Sequence, residues 1–498
     1  MHTMHTAPVR RSFLSLSALL LASFLLMTLF PSASPGAPYI LLTPRGGEDS
    51  LVHESTSSFQ ASKKLASLGI SSAVSEEFSN IGASLIDLDD KDAALVRKSG
   101  TFLLVRADIL FHAAPEESGM TFDPALDTPW HVAWAQNAGL TAGITAAQWN
   151  TVLVAVLDSG LNDHPDFSGA PIRWDLAYNA ITRTAGSRSA LADENGHGTN
   201  VTGTLAGSAT GIIPSAPLLP VKIADKSGSA KVSDLTAAVD YLVGLARNTL
   251  PGKKIFLNFS YSTDPSDSPD SALQSFFEEL FLRCDEVGML FFSAAGNEAA
   301  DLDRKYVYPA RASARNALAI AATDTAGLLA SFSNHSAYAV EVAAPGVAIT
   351  TTDKSGSGYQ TVNGTSFASP IATGVAVALW ARRAELANWQ VRNVLLNAVD
   401  TPLWMQSGGT ALSIAASSLP VIAGNVLRPA RTTDTSFVTN AKGTEPKAVG
   451  LVPASENGGG GCAAATAPAG IFLLLIPLVP LFRRTGRQTR AHKARKSL

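Results

Sequence analysis

Apolar positions divide the middle of the chain into two alternating kinds of segment. Six mainly apolar runs predict strands at 152–157, 218–223, 255–259, 290–295, 317–322 and 339–344. Longer segments with helical spacing predict helices at 235–245, 272–287 and 367–383. Strands that are apolar on both faces and alternate with helices indicate a mainly parallel sheet buried between helices. We therefore predict an α/β domain over residues 129–418.

A smaller pattern precedes this domain, over residues 38–113. Extended stretches lie at 39–43, 71–78, 83–88 and 102–109, and helical ones lie at 57–68 and 90–96. The order βαββαβ predicts a small ferredoxin-like α+β domain. None of its residues has the sequence surroundings of a catalytic group. Residues 114–128 and 419–461 are rich in turn-forming or small residues and predict two linkers.

Composition and charge exclude several classes of protein. Only 16% of the 498 residues are charged and 46% are hydrophobic, so the chain is not generally disordered. Two cysteines are too few for a disulfide scaffold or a Cys-rich zinc module. Nine of the 38 basic residues lie at the two ends, which leaves residues 12–482 with a net charge of −12. An acidic body argues against nucleic acid as a partner.

Both ends of the chain are predicted to be targeting segments. Arg10 and Arg11 precede an uncharged run at 13–30 and then small residues, which predicts a secretory signal peptide over 1–37. A retained N-terminal anchor is the alternative. At the other end, the uncharged run 463–482 is followed by seven basic residues, so it predicts a membrane span with a cytoplasmic C-terminus. The region between the ends would then be exported, to the cell envelope or cell surface.

The C-terminal segment 462–498 also resembles a bacterial sorting signal. Four glycines and Cys462 precede the apolar run, and an arginine cluster follows it. This resemblance implies cleavage near the glycine motif by an intramembrane sorting protease, then display on the cell surface. A plain tail anchor is the alternative.

Four short motifs in the middle region carry candidate chemistry. They are Asp-Ser-Gly at 158–160, Asn-Gly-His-Gly-Thr at 195–199, Ser-Ala-Ala-Gly-Asn at 293–297 and Asn-Gly-Thr-Ser-Phe-Ala-Ser-Pro at 363–370. Each alone is an ordinary turn or helix cap. Together, in this order, they resemble the motifs of the subtilisin-like serine proteases, the subtilases.

The resemblance implies a subtilisin-like fold and a serine endopeptidase. A serine hydroxyl needs an adjacent base to become a nucleophile, and His197 is the candidate base for Ser366. Asp158 would hold the imidazole, and the Asn297 side chain with the backbone N–H of Ser366 would form the oxyanion hole. No cofactor is needed for this chemistry. A subtilase with a degenerate site, acting as a surface binding protein, is the alternative. A lipase-type hydrolase is disfavoured, because Ser366 lacks the Gly-x-Ser-x-Gly surroundings.

The resemblance also implies that substrate lies as an extended strand between two edges. We predict these edges at Gly228, Ser229 and Ala230 and at Ser260, Tyr261 and Ser262. The family usually has Ser-Leu-Gly-Gly where this chain has Ser-Tyr-Ser-Thr at 260–263, and a second His where this chain has Asn200. Residues 205–211 are shorter than the loop that carries a tight calcium site in secreted bacterial members of the family, so the resemblance implies no calcium at this place. No residue is predicted to be a metal ligand. A structural calcium site elsewhere in the chain is the alternative.

The position of residues 38–113 resembles that of the family's inhibitory propeptide. The predicted protein is thus an exported, envelope-associated endopeptidase made as a zymogen. Its partners would be peptide substrates, its own propeptide, signal peptidase and, for a sorted chain, the sorting protease. An unrelated spacer domain at 38–113 is the alternative.

Overall fold

The computed structural model describes residues 36–44, 58–113, 116–118, 122–312, 314–336, 339–399 and Leu427. Most of the predicted signal peptide, nearly all of the second linker and the whole segment 462–498 lie outside these residues. Within the described ranges, no helix is long and apolar enough to cross a bilayer.

The N-terminal part is a small α+β layer in the predicted order βαββαβ. Its strands form one antiparallel sheet in the order β2-β3-β1-β4. Two helices pack on one face of this sheet, through Leu65 of the first helix and Val96 of the second. The elements are β1 (Ala37–Leu42), α1 (Ser58–Ser67), β2 (Val74–Phe78), β3 (Ala83–Leu88), α2 (Asp90–Ser99) and β4 (Leu103–Arg106).

Two short strands, β5 (Leu110–His112) and β6 (Glu116–Ser118), lead into the large domain. The remaining helices are α3 (Trp130–Asn137), α4 (Ala146–Trp149), α5 (His197–Ala206), α6 (Val232–Gly244), α7 (Ser271–Glu286), α8 (Thr365–Arg382) and α9 (Asn388–Asn397). The remaining strands are β7 (Val152–Asp158), β8 (Tyr178–Asn179), β9 (Thr184–Ala185), β10 (Leu218–Lys222), β11 (Ser229–Lys231), β12 (Lys254–Phe259), β13 (Leu290–Ala294), β14 (Ala317–Thr323), β15 (Val342–Pro345), β16 (Ile349–Thr352) and β17 (Tyr359–Asn363).

Eight strands form the central sheet, in the order β15-β14-β13-β12-β7-β10-β8-β9. The six long strands are parallel, as predicted. The last of them begins at Val342 instead of 339, because its pairing with β14 begins there. Residues 116–118, predicted to be exposed linker, form a strand because they pair with β17.

Alternating side chains along β7 separate two layers of core. Val152, Val154 and Val156 pack with α5, α8 and α9 on one face of the sheet. Leu153 and Leu157 pack with α6 and α7 on the other face. Because both faces are covered by helices, the strand is apolar from Val152 to Leu157, which explains why its pattern was visible in the sequence.

His131 on α3 is a buried histidine that connects this helix to the turn after α5. Its Nε2 lies 2.8 Å from the Thr210 carbonyl oxygen. Burial lowers the pKa of His131 from 6.5 to about 4, and the hydrogen bond to Thr210 opposes this only in part. The unfolded chain therefore takes up a proton near pH 6.5, whereas the folded protein does so only near pH 4.

We expect acidification from pH 6.5 to pH 4 to lower the free energy of unfolding by about 3 kcal/mol through His131. The measurement is urea unfolding against pH in a Ser366→Ala background, which prevents self-digestion. His131→Gln should flatten the profile over this window. An equally steep profile for His131→Gln would contradict the assignment.

Candidate active site

The end of β7 and the start of α5 bring Asp158 and His197 together. His197 Nδ1 lies 2.7 Å from Asp158 Oδ1, and neither side chain is more than 1% exposed. The acid is the last residue of a buried strand and the imidazole is on the first residue of a buried helix. A hydrogen bond from Nδ1 leaves Nε2 as the basic atom of the ring.

A second acid, Asp193, holds the start of α5 against the turn that follows Asp158. Its carboxylate accepts from Ser159 Oγ at 2.8 Å and from the Thr199 backbone N–H at 2.8 Å. Ser159 Oγ in turn accepts from the Gly198 N–H at 2.9 Å. These bonds satisfy N–H groups that the first turn of a helix leaves unpaired. A Cβ at Gly198 would lie 2.3 Å from the Gly160 carbonyl, so the close approach requires glycine.

Lys222, at the end of β10, places a buried cation beside this turn. Its Nζ donates to the carbonyls of Ser159 at 2.5 Å and Ala192 at 2.8 Å. Burial lowers the pKa of Lys222, while the charge of Asp193 opposes that shift. Sequence reasoning missed both Asp193 and Lys222. For Lys222, a charge at the end of an apolar strand was the available signal.

Ser366 lies in the first turn of α8 and is 2% exposed. Its Oγ donates to the Ser260 carbonyl at 3.1 Å, and Ser260 Oγ donates to the Ser366 carbonyl at 2.8 Å. The Phe367 ring lies 5.9 Å from the His197 ring, between centroids. His197 Nε2 has no hydrogen-bond partner among the described residues. The serine and the Asp–His pair are thus neighbours, but the hydroxyl is bonded to Ser260.

Asn297 is held at the N-terminus of α8. Its Oδ1 accepts from the Thr365 backbone N–H at 2.8 Å and from Thr365 Oγ1 at 2.9 Å. With the amide oxygen so placed, Nδ2 is the donor group of this side chain. Ser366 follows Thr365 in the first turn of α8. Its backbone N–H has no acceptor within the helix and lies at the positive end of the helix dipole.

The two predicted substrate edges flank a strand of the chain itself. Strand β5 pairs antiparallel with β11, with His112 opposite Ser229. On the other side of β5, the His112 N–H donates to the Ser262 carbonyl at 2.9 Å, and the Ser262 N–H donates to the His112 carbonyl at 3.3 Å. Among the six predicted edge residues, Ser229 is half-buried, and Gly228, Ala230, Ser260, Tyr261 and Ser262 are buried.

The sequence model of the subtilase family matches residues 150–435, more than half of the chain. This protein belongs to the subtilase family. It is 30% identical to the M-protease of Shouchella clausii (strain KSM-K16) over 331 residues, which are 64% of this chain and 75% of that protein. It is 32% identical to Subtilisin Savinase of Lederbergia lenta over 283 residues, which are 55% and 91% of the two chains.

A crystal structure of a cold-adapted subtilisin-like serine proteinase matches with a TM-score of 0.44 and 27% identity. The match covers 55% of this subtilase and 88% of that chain. Family membership confirms the predicted serine endopeptidase. It also agrees with the predicted fold, a largely parallel sheet between helices.

In this subtilase, the carboxylate of Asp166 holds the short turn after α5. It accepts from Ser208 Oγ at 2.8 Å, the Ala209 N–H at 2.7 Å and Thr210 Oγ1 at 2.7 Å. Protein donors therefore occupy this carboxylate. In the described ranges, no group of three or more His, Cys, Asp or Glu side chains could hold a metal ion.

Proposed function

We propose that this serine endopeptidase cleaves peptide bonds with Asp158, His197 and Ser366 as its triad, and that it is made as a self-inhibited precursor. The observation that carries the triad is the buried 2.7 Å bond between Asp158 and His197. Ser366 is next in sequence to Phe367, whose ring lies 5.9 Å from the His197 ring between centroids. The three residues come from separate elements, so their proximity depends on the fold and not on one local motif.

The nucleophile acts in two stages. Before attack, the Ser366 hydroxyl must exchange its bond to the Ser260 carbonyl for one to His197 Nε2. As Oγ bonds to the scissile carbonyl carbon, its proton passes to Nε2 and then to the leaving amine. An acyl-enzyme remains, and water releases it when His197 takes the water proton and returns a proton to Ser366.

The other groups of the site stabilise the charges that develop during the reaction. Asp158 keeps the imidazole oriented and stabilises the imidazolium formed during the transfer. The negative oxygen of the tetrahedral intermediate would accept from the Ser366 backbone N–H and from Asn297 Nδ2. Both donors are attached to the start of α8 or bonded to it, so they need little reorganisation when charge develops.

The contact between the N-terminal layer and the large domain supports an inhibitory role for residues 38–113. Asp240 on α6 accepts from the backbone N–H groups of Asn80 at 2.7 Å and Ile81 at 3.2 Å. Arg247 donates to the Asn80 carbonyl at 2.6 Å. A Cβ at Gly244 would lie 2.7 Å from Asn80 Nδ2. So close and polar a contact is specific in a way that a spacer does not require.

Strand β5 adds a second support. Residues 110–112 pair on both sides with the edges predicted to hold substrate, as an extended peptide would. They follow the N-terminal layer directly, so the layer anchors a peptide in the cleft. We propose that removing residues 38–113, which include this strand, activates the enzyme.

Replacing Asp240 should weaken this inhibition. Asp240→Asn keeps the shape but loses the charge that three N–H groups contact. We expect the inhibition constant of purified residues 38–113 to rise roughly 10- to 100-fold, because hydrogen bonds to a charged group are the stronger ones. Asp324→Asn, whose carboxylate accepts from Ala326 and Leu328 in its own turn, is the control. If micromolar domain leaves the unaltered enzyme fully active, residues 38–113 are a spacer.

We also propose that the enzyme is exported and is anchored in the membrane, at least transiently, by residues 463–482. The support is the charge pattern: a basic N-terminal end before one apolar run and seven basic residues after another. Intact-mass measurement of envelope-bound protein tests this. A C-terminus at Leu498 supports a plain anchor, and an end near residue 461 supports sorting. Protein found only in the cytoplasm contradicts both.

A further inference from the structure

Tyr261 turns its side chain away from the cleft edge and towards the Asp–His pair. The side chain is fully buried, and its hydroxyl donates to Asp158 Oδ1 at 3.2 Å. Its ring meets the His197 ring edge-on, with 5.5 Å between centroids and 73° between planes. Burial and the charge of Asp158 raise the pKa of the Tyr261 phenol. The phenol therefore stays protonated and acts as a donor.

Residues 260–262 touch three different parts of the site. The Ser260 carbonyl accepts from Ser366, Tyr261 reaches Asp158, and Ser262 pairs with His112 in the cleft. The backbone of Ser262 makes the pairing with His112, whereas the side chain of Tyr261 makes the contact with Asp158. One short segment can therefore hold a peptide through its backbone and contact the catalytic pair through a side chain.

The two carboxylate oxygens of Asp158 differ greatly in the hydrogen bonds that they accept. Oδ1 accepts from His197 Nδ1 at 2.7 Å, from the Ser159 N–H at 2.8 Å and from Tyr261. Oδ2 is buried and has no hydrogen-bond partner among the described residues. The orientation of the carboxylate therefore depends on the donors at Oδ1. Of the two donors besides His197, the phenol is the only side chain.

We propose that Tyr261 is a positioning residue: its hydroxyl fixes the Asp158 carboxylate in the orientation that His197 needs. The inference rests on the proposed roles of Asp158 and His197. It assigns to Tyr261 a role in turnover, distinct from the role in substrate binding that its place on the cleft edge predicts. The two roles affect different kinetic constants.

The test is Tyr261→Phe, which keeps the ring and removes the donor. The full chain is expressed, and the active enzyme is assayed with a short ester and with a peptide long enough to pair with Ser262. We expect kcat to fall roughly 3- to 10-fold with both substrates and KM to stay within about twofold, because the bond acts on Asp158 and not on substrate. Tyr241→Phe loses a hydroxyl bond to the Leu176 carbonyl, remote from the pair, and should leave both constants unchanged.

A double variant separates this effect from a general loss of structure. Asp158→Ala chains with and without Tyr261→Phe are compared in the same form, both cut or both uncut. In this background Tyr261→Phe should cause no further fall in kcat, because its partner is already gone. An equal further fall, an unchanged kcat for Tyr261→Phe alone, or a rise confined to KM for the long peptide would overturn the proposal. If Asp158→Ala itself keeps full activity, the triad assignment fails instead. If only Tyr261→Phe keeps full activity, the triad stands and the positioning role is refuted.

Discussion

Ser366→Ala should abolish peptide cleavage and leave the precursor uncut. Without Oγ there is no nucleophile, and His197 has no hydroxyl proton to accept. Loss of the serine or the histidine from the subtilisin triad costs on the order of 10⁶-fold in kcat, and we expect a comparable loss here. A peptide-cleavage assay measures the activity, and intact mass shows whether residues 38–113 are still attached.

Ser369 supplies a matched control on the same helix. It is equally buried, and its Oγ donates to Asn258 Oδ1 at 2.9 Å. Ser369→Ala should keep activity at some cost in stability. Normal activity of Ser366→Ala would refute the triad. A fluorophosphonate that labels the unaltered enzyme at Ser366 would exclude the alternative of a degenerate binding protein; no labelling would favour it.

Asn297→Ala should fold but lose roughly 10²–10³ in kcat, the loss measured for the oxyanion-hole asparagine of subtilisin. The oxyanion exists only in the transition state and the intermediate, so losing its donor should change kcat far more than KM. Steady-state kinetics on one peptide substrate, with thermal unfolding alongside, measures both effects.

Asn297→Asp distinguishes the lost donor from a disturbed helix start. The acid keeps an oxygen to accept from the Thr365 backbone N–H and Oγ1, which Asn297 Oδ1 contacts now. The aspartate carboxylate has no N–H to donate, and it adds negative charge at the place where the oxyanion would develop. We therefore expect Asn297→Asp to lose at least as much kcat as Asn297→Ala. Full activity of this variant, or a loss confined to KM, would contradict an oxyanion role.

The elements that could be predicted are those with a strong local pattern. Strand β7 was visible because all seven of its residues are buried between two layers of helices. Helix α8 was visible for the same reason, since it is buried nearly all round. Strand β6 was not, because residues 116–118 are polar and become a strand only by pairing with β17, more than 240 positions further on.

The residues of the candidate site also separate into those with a local sequence pattern and those without one. Asp158, His197, Asn297 and Ser366 lie in motifs whose order along the chain could be compared with a family. Asp193 and Lys222 could not be found in that manner, because their roles depend on partners. Asp193 bonds to Ser159, 34 positions earlier, and Lys222 bonds to the same residue 63 positions earlier.

By itself, the sequence determined the α/β class, the family and the four residues proposed for catalysis. Two-sided burial and short motifs leave their mark on consecutive positions, so they can be read along the chain. The tertiary structure decided which atoms meet. It turned Tyr261 from a residue of the cleft edge into a donor to Asp158, 103 positions away. It also placed residues 110–112 between the two edges. Hydrogen bonds depend on distances of about 3 Å between atoms, and packing brings such atoms together from distant parts of the chain without leaving a local pattern.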